Sequence, residues 1–125
     1  MANNPRLSVL KRRSEFLGLQ KNGHRFRASP WLLVNFAENP LGNMRCGWTL
    51  PRQIGTAVIR NRLKRWSRIF FRKLVDADQD FPVAINLVFR RAEDGFYKKL
   101  DYETFAKILE KSLQQIRTRV GKRRG

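Results

Sequence analysis

Apolar positions in the middle of the chain repeat with a helical period. Between residues 57 and 74 they recur at spacings of three, four or seven, at Ile59, Leu63, Trp66, Phe70 and Leu74. Such a stripe predicts an amphipathic helix that packs its apolar side on a core. Thr56 has the side chain of a helix N-cap, so the helix is expected to begin near Ala57.

Two more segments are predicted to be helical. Residues 14–23 indicate a short helix with Ser14 as N-cap, Gly23 as the stop, and Phe16 and Leu19 on one face. A last helix is expected to be capped by Asp101. Its apolar residues stay in helical register at Phe105, Leu109, Leu113, Ile116 and Val120.

Three segments are typical of strands: residues 31–37, 44–50 and 81–90. The first two are separated by a turn and predict a hairpin, and the third is apolar enough to be a buried strand. The predicted order is therefore α-β-β-α-β-α, with the strand count good to within one. This order predicts a small α+β domain in which helices pack on one sheet.

Charge sets this chain apart from an ordinary domain of 125 residues. It has 27 Lys and Arg against 10 Asp and Glu, a formal net charge of +17. Residues 52–73 contain eight cations and no acid, and both ends, residues 1–13 and 117–125, are basic arms that we expect to be flexible. A balance this extreme favours a polyanionic partner.

The chain lacks an apolar run long enough to span a membrane, and its N-terminus lacks the apolar core of a signal peptide. A single cysteine, Cys46, provides no internal disulfide and suits a reducing compartment. We therefore expect a cytoplasmic protein without a membrane partner. A membrane-surface helix is disfavoured because the apolar stripe with Trp66 and Phe70 has a sheet to cover.

No self-sufficient catalytic site is evident. The only histidine, His24, lies in a predicted basic loop, and Cys46 in a predicted strand indicates a buried structural thiol. The acidic run 76–80 resembles the start of a calcium loop, but Phe81 and Leu87 stand where Gly and Glu are required. We expect neither a metal site nor catalytic residues in the protein.

The cationic side of the central helix is the strongest candidate site. Its cations lack acidic neighbours, and Asn61 adds a bidentate hydrogen-bonding group, which favours nucleic acid as the partner. Aromatic residues lie among cations elsewhere and suit stacking on single-stranded bases, although the same residues could simply form core. They are Phe16, Phe26, Trp31 and Phe36.

Residues 52–65, RQIGTAVIRNRLKR, closely resemble the signature of the bacterial ribonuclease P protein family, in which Gly-Asn-Ala-Val is followed by Arg-Asn-Arg and Lys-Arg. Further similarity lies in residues 10–16, at Gly23, in residues 46–49 and at Tyr102-Glu103. The resemblance implies an α/β sandwich of the ribosomal protein S5 domain 2-like fold, with a left-handed βαβ crossover. It also implies one domain over residues 1–125.

The resemblance implies a function as well. In this family an RNA subunit uses Mg²⁺ to hydrolyse the 5′ leader from precursor tRNA, and the protein binds that RNA and the leader. The enzyme is thus the holoenzyme, with Mg²⁺ held mainly by RNA and no small-molecule substrate. The positions implied to contact the RNA subunit are Arg52, Arg60, Asn61, Arg62, Lys64, Arg65 and Arg68. Those implied to line the leader cleft are Phe16, Leu19, Gln20, Trp31 and Leu33.

Three positions depart from the family pattern: Gln53 replaces a Lys, Thr56 replaces an Asn, and Gln20 stands where an aromatic often lines the cleft. Two alternatives share the charge and fold class. One is a ribosomal or RNA-chaperone-type protein without a role in cleavage. The other is a DNA-binding module that uses residues 57–74 as a recognition helix, although no helix-turn-helix partner is evident.

Overall fold

The computed structural model describes residues 7–39 and 43–124, which form one mixed five-stranded sheet with four helices. The strands are β1 (Leu7–Val9), β2 (His24–Ser29), β3 (Leu32–Glu38), β4 (Met44–Thr49) and β5 (Val83–Phe89). The helices are α1 (Arg13–Asn22), α2 (Ala57–Asp76), α3 (Phe96–Lys99) and α4 (Tyr102–Arg124). A 3₁₀ turn, Arg52–Ile54, precedes α2.

The strands lie in the order β1-β4-β5-β3-β2. Strand β5 pairs parallel with β4 and antiparallel with β3, and the edge strands β1 and β2 pair with β4 and β3. Helix α2 makes the connection between the parallel neighbours β4 and β5. The predicted α+β fold class is confirmed, and the left hand of this crossover stays a prediction.

The predicted hairpin is wrong, because β5 lies between its two strands. Every residue of β3 from Leu32 to Glu38 has a partner in β5, and β4 pairs with the other edge of β5. Strand β5 is the most continuously buried of the five, with Val83, Ile85 and Leu87 fully covered. A strand this apolar is stabilised most when it has a neighbour on both edges.

Two strands were not predicted. Strand β1 belongs to the arm 1–13 that was expected to be flexible, yet residues 7–9 pair with β4 and Leu10 is buried; residues 1–6 lie outside the described residues. Strand β2 begins at His24, which was predicted to lie in a loop. Three residues are too few for a periodic signal, and alternating arginines hide β2 from a hydrophobicity criterion.

The C-terminal segment belongs to the last helix. Residues 117–125 were expected to be flexible, but α4 continues to Arg124 and Val120 is buried against the core. Residue 125 is not described. The apolar register of the last helix therefore extends into the basic segment.

Hydrogen bonds define the helix ends. Thr56 Oγ1 accepts from the Ile59 N–H at 3.3 Å and Asp101 Oδ1 accepts from the Thr104 N–H at 2.8 Å, so both predicted N-caps are confirmed. The stop at Gly23 is also confirmed. Ser14, however, is not the N-cap, because α1 begins at Arg13 and its N-cap is Arg12.

Alternation along β3 divides the domain into two layers. Leu32, Val34 and Phe36 face the main core with α2 and α4, whereas Leu33 and Asn35 face the side covered by α1. The main core is formed mostly by large apolar side chains from the sheet and both long helices. The side of the sheet that faces α1 is the more polar of the two.

Candidate nucleic-acid interface

The outer face of α2 presents the predicted cations to solvent. The predicted stripe lies inward: Leu63 and Phe70 are buried, and Ile59, Trp66 and Leu74 pack against the core. On the other side Asn61, Arg65 and Arg68 are exposed, Arg60 and Lys64 are half-buried, and Arg52 is exposed on the preceding turn. We call these six residues the α2 face.

Acidic side chains do not neutralise this surface. Within the described ranges 7–39 and 43–124, no member of the α2 face forms an ion pair with a carboxylate, and Asp76 at the helix end is the only acid in α2. Like charges so close together on one helix destabilise it slightly. The burial of the apolar stripe offsets that cost, and the charges remain available to a polyanion.

Two of these cations are held in place. Arg60 donates from Nε to the Gly55 carbonyl at 3.3 Å, and the Arg68 guanidinium lies 5.2 Å from the centre of the Trp48 ring. Both contacts restrict the side chain while leaving other N–H donors unused. A cation that is already ordered loses less entropy on binding phosphate.

Arg62 differs from the α2 face although it was predicted with it. Its guanidinium donates to the Tyr97 carbonyl and lies 4.9 Å from the centre of the Trp66 ring. The Tyr97 hydroxyl in turn donates to the Trp31 carbonyl at 3.2 Å, and burial raises its pKa to about 12. Arg62 therefore helps to join α2 to the segment around α3.

A second candidate region is the cleft between α1 and the sheet. It is a cavity of about 250 Å³. Its lining consists of Phe16, Gln20, Arg25, Leu33, Asn35, Thr49, Asn86, Val88 and Arg90. Three of the five predicted cleft residues, Phe16, Gln20 and Leu33, are among them.

The other two predicted cleft residues lie elsewhere. Leu19 is buried and is absent from the cavity lining. Trp31, which the resemblance implied for the cleft, lies in the core, the alternative left open from the sequence: it is 7% exposed on the opposite side of the sheet, stacked near Phe89 and Phe105 with ring centres 6.4 Å away. Trp31 precedes β3 and is not part of that strand. The alternation that turns the Leu33 side chain toward the cleft therefore does not extend to Trp31.

The cleft floor is made by two asparagines that were not predicted. Asn35 and Asn86 are direct partners in the β3–β5 ladder and are 6% and 3% exposed. The Asn86 amide nitrogen donates to Thr49 Oγ1 at 3.0 Å, whereas the Oδ1 atoms of both asparagines are buried without a hydrogen-bond partner. The available sequence signal was a single Asn inside each of two mostly apolar strands.

Two arginines lie at the rim of the cleft, and an ion pair attaches its α1 wall to the sheet. Arg25 and Arg90 line the cavity and are exposed, which the sequence had not indicated. Arg45 pairs with Glu15 of α1, and the Arg12 N–H bonded to that carboxylate, helped by Arg45, lowers its pKa. At Gly47 the strand approaches α1 so closely that a Cβ would lie 3.0 Å from Phe16 Cε1.

The remaining chemistry is limited. Cys46 is buried as predicted, and burial raises its pKa to about 12 in spite of the nearby Arg68 and Arg72, so the thiol stays protonated. Among the described residues, no three His, Cys, Asp or Glu side chains are grouped to hold a metal ion. None of the helices in the described part of the chain is long and apolar enough to cross a membrane.

Comparison with known proteins identifies the family. A family model described as Ribonuclease P matches residues 5–117, which is most of the chain. The chain belongs to the ribonuclease P protein family. The resemblance noted at residues 52–65 is thus confirmed over nearly the whole length.

Relatives named ribonuclease P protein component come from diverse bacteria. The one from Citrifermentans bemidjiense is 31% identical over 74% of this chain and 78% of its own, and the one from Desulfovibrio desulfuricans is 29% identical over 90% and 85%. The match to the Thermotoga petrophila protein is 39% identical but spans only 54% of that protein.

Solved structures of ribonuclease P proteins share the fold. The protein from Thermotoga maritima superposes with a TM-score of 0.74 at 27% identity, covering 86% of this chain and 96% of that one. The protein from Staphylococcus aureus superposes with a TM-score of 0.73 at 22% identity over 86% and 94%, a similarity of fold alone.

Proposed function

We propose that this protein is the protein subunit of a bacterial ribonuclease P. It binds the catalytic RNA subunit through the α2 face and the 5′ leader of precursor tRNA in the cleft under α1. In doing so it assists the RNA-catalysed removal of the leader. The observation that carries this proposal is the cationic, unneutralised α2 face in a member of this family.

The α2 face supplies the affinity. Binding of several phosphates releases condensed counterions, so the association is strong at low salt and weakens steeply as salt rises. Arginine is suited to this role because its planar fork matches two phosphate oxygens. Arg60 and Arg68, which are ordered by Gly55 and Trp48, are the members best prepared for such contacts.

The cleft suits a single strand rather than a duplex. A concave site of about 250 Å³ is too small for a helix and admits an unstacked base, with Phe16 as an apolar wall. Arg25 and Arg90 are placed at the rim to contact the phosphates of the same strand. A leader is single-stranded, whereas the mature tRNA end is paired.

We place the hydrolytic chemistry on the RNA. The described residues bring no three carboxylate, histidine or thiol groups together, so they do not fit a protein-held Mg²⁺ site. The catalytic Mg²⁺ is then bound by RNA phosphates, which are the oxygen ligands that this ion prefers. The protein contributes by holding the RNA subunit and the leader close together.

Reconstitution with the matching RNA subunit tests the proposal. The protein alone should leave precursor tRNA uncut, the RNA alone should act poorly at low Mg²⁺, and the two together should cleave well and bind precursor tighter than mature tRNA. Unchanged turnover and unchanged leader affinity on adding the protein would contradict the proposal. Crosslinking in cells that recovered ribosomal RNA as the dominant partner would instead favour a ribosomal or chaperone role.

A further inference from the structure

Tyr97 of α3 connects three parts of the domain through its carbonyl and its hydroxyl. The carbonyl accepts a hydrogen bond from the Arg62 guanidinium of α2. The hydroxyl lies within hydrogen-bonding distance of two other carbonyls, that of Arg90 and, at 3.2 Å, that of Trp31. A tyrosine hydroxyl has one proton to donate, so the two carbonyls share it. One residue thus joins α2, the end of β5 and the segment that leads into β3.

Packing alone does not require the Tyr97 hydroxyl. The residue is 4% exposed, and its ring packs in an aromatic cluster beside Phe89 and Phe96, which have no hydroxyl. Burial of a hydroxyl costs free energy that only its hydrogen bonds offset. A phenylalanine would fill the same space without that cost. The hydroxyl therefore contributes through the two carbonyls that it holds.

The hydroxyl fixes the backbone of Arg90, a residue whose side chain lies at the rim of the cleft. Strand β5 ends at Phe89 in the main core, and Arg90, the next residue, lines the cleft on the other side of the sheet. The Arg90 N–H donates to the Trp31 carbonyl at 2.8 Å, and the Arg90 carbonyl accepts from the Tyr97 hydroxyl. Because both backbone polar groups of Arg90 are bonded, the direction in which its side chain leaves the backbone is set.

We propose that Tyr97 is a positioning residue that acts through Arg90: its hydroxyl holds the Arg90 guanidinium where it meets a leader phosphate while the RNA subunit lies on the α2 face. The inference rests on the proposed function, since it takes the leader to be the strand in the cleft. Arg62 belongs to the same arrangement because it holds the Tyr97 carbonyl from α2, the helix that presents the α2 face. An arginine whose backbone is fixed in advance loses less entropy on binding phosphate.

Removal of the hydroxyl alone tests the inference. In the reconstituted holoenzyme, Tyr97→Phe should weaken binding of precursor tRNA about threefold, the effect expected for one hydrogen bond, and leave binding of mature tRNA unchanged. The KM for precursor should rise while kcat stays the same. Tyr102→Phe is the matched control, because it removes a hydroxyl from another ring of the aromatic cluster, beside Trp66 and Phe105, and should change neither affinity. Thermal melting reports whether each variant is folded.

A double-mutant cycle separates positioning from a general loss of structure. Arg90→Ala should weaken precursor binding about tenfold, the loss expected for one charge-assisted hydrogen bond to phosphate. If Tyr97 acts through Arg90, then Tyr97→Phe has no further effect on precursor affinity once Arg90 is alanine. The other rim arginine provides the control background: in Arg25→Ala, the change Tyr97→Phe should still cost about threefold.

Three results would overturn the inference and leave the proposed function intact: unchanged precursor affinity in Tyr97→Phe, an equal loss for precursor and mature tRNA, or the same threefold loss with and without Arg90. The proposed function fails as well if the wild-type holoenzyme binds precursor and mature tRNA with the same affinity. If Tyr97→Phe does not fold, Arg62→Ala replaces it in the cycle, because it releases the Tyr97 carbonyl instead of the hydroxyl. Its loss of precursor affinity should likewise disappear in the Arg90→Ala background, and a loss that persisted there would overturn the inference.

Discussion

The α2 face and the cleft under α1 are built in opposite ways. The α2 face is convex and exposed, and it has five cations and one amide without an ion-paired acid in the described residues. The cleft is concave, with cations only at its rim and two buried acceptors on its floor. Charge at an open surface provides affinity without reading sequence, whereas buried hydrogen-bonding groups discriminate between ligands. One small domain thus combines an open cationic surface with a concave site that has buried acceptors.

The largest effect is expected at the cleft, from Gly47→Ala. The added methyl would lie 2.9 Å from Leu10 Cβ and 3.0 Å from Phe16 Cε1, so the wall of the cleft must move. We expect a loss of about 2 kcal/mol in the free energy of unfolding, measured by urea denaturation, and weaker discrimination of precursor from mature tRNA.

Gly18→Ala is the matched control for this change. Gly18 lies in α1, the helix that the strand approaches at Gly47, and a Cβ there would meet nothing within 4 Å. The substitution should raise stability by up to about 1 kcal/mol, because alanine is the better helix former. If both variants behaved alike, the close approach of strand and helix at Gly47 would not constrain the cleft.

The next effect concerns the α2 face. Arg65→Ala/Arg68→Ala should weaken binding to the RNA subunit about tenfold at moderate salt and reduce the slope of log K against log salt by about two units. Leader discrimination should stay as in the wild type. Filter binding over a salt series measures both quantities.

Two exposed lysines of α4 provide the control for lost charge. Lys107→Ala/Lys111→Ala removes the same net charge from a surface outside the α2 face. It should change the salt slope far less. Equal losses from both double variants would mean that overall charge, rather than the α2 face, determines the affinity.

A smaller effect is expected at Arg62, and of a different kind. Arg62→Ala removes the hydrogen bond to the Tyr97 carbonyl and the contact with the Trp66 ring, so unfolding should become easier by about 1 kcal/mol. The salt slope should hardly change. If the slope of log K against log salt fell by a full unit while stability stayed unchanged, Arg62 would instead be a residue that contacts RNA.

The smallest effect is the pH dependence of the tether between α1 and the sheet. The Arg12 N–H bonded to Glu15, assisted by Arg45, lowers the pKa of this carboxyl in the folded state below its ordinary value of 4.5. Its contribution to stability is therefore complete above pH 4.5 and is lost as pH falls through the lowered folded pKa. The stability difference between wild type and Glu15→Gln should shrink in acid, as urea midpoints over a pH series would reveal. A difference that stays constant with pH would contradict this role.

The long helices could be predicted because the apolar positions that each helix buries are spaced periodically within its own segment. The stripe from Ile59 to Leu74 and the register from Phe105 to Val120 depend on local spacing alone, and both caps were correct. Strand order could not be predicted in the same way. The pairing of β5 with β3 and β4 joins residues far apart in sequence, and adjacency along the chain favoured a hairpin instead.

The two candidate sites differed in the same respect. Most of the α2 face was predictable because its cations, apart from Arg52, lie on successive turns of one helix. The cleft floor was not, because Asn35 and Asn86 meet only through the strand register, and Arg25 and Arg90 lie on the unpredicted β2 and just beyond β5. For Trp31 the sequence left both the cleft and the core open, because an aromatic side chain suits stacking and core packing equally well.

The central position of β5 has a consequence for synthesis on the ribosome. Until residue 89 has emerged from the exit tunnel, β3 and β4 lack the partner that joins them, and the edge strand β1 can pair only with an isolated β4. The nascent chain therefore exposes unpaired strand edges while the whole of α2, with its positive charge, is already outside. Completion of the sheet waits for a late segment, which gives this small domain a long-range folding step and leaves strand edges unpaired until that step is complete.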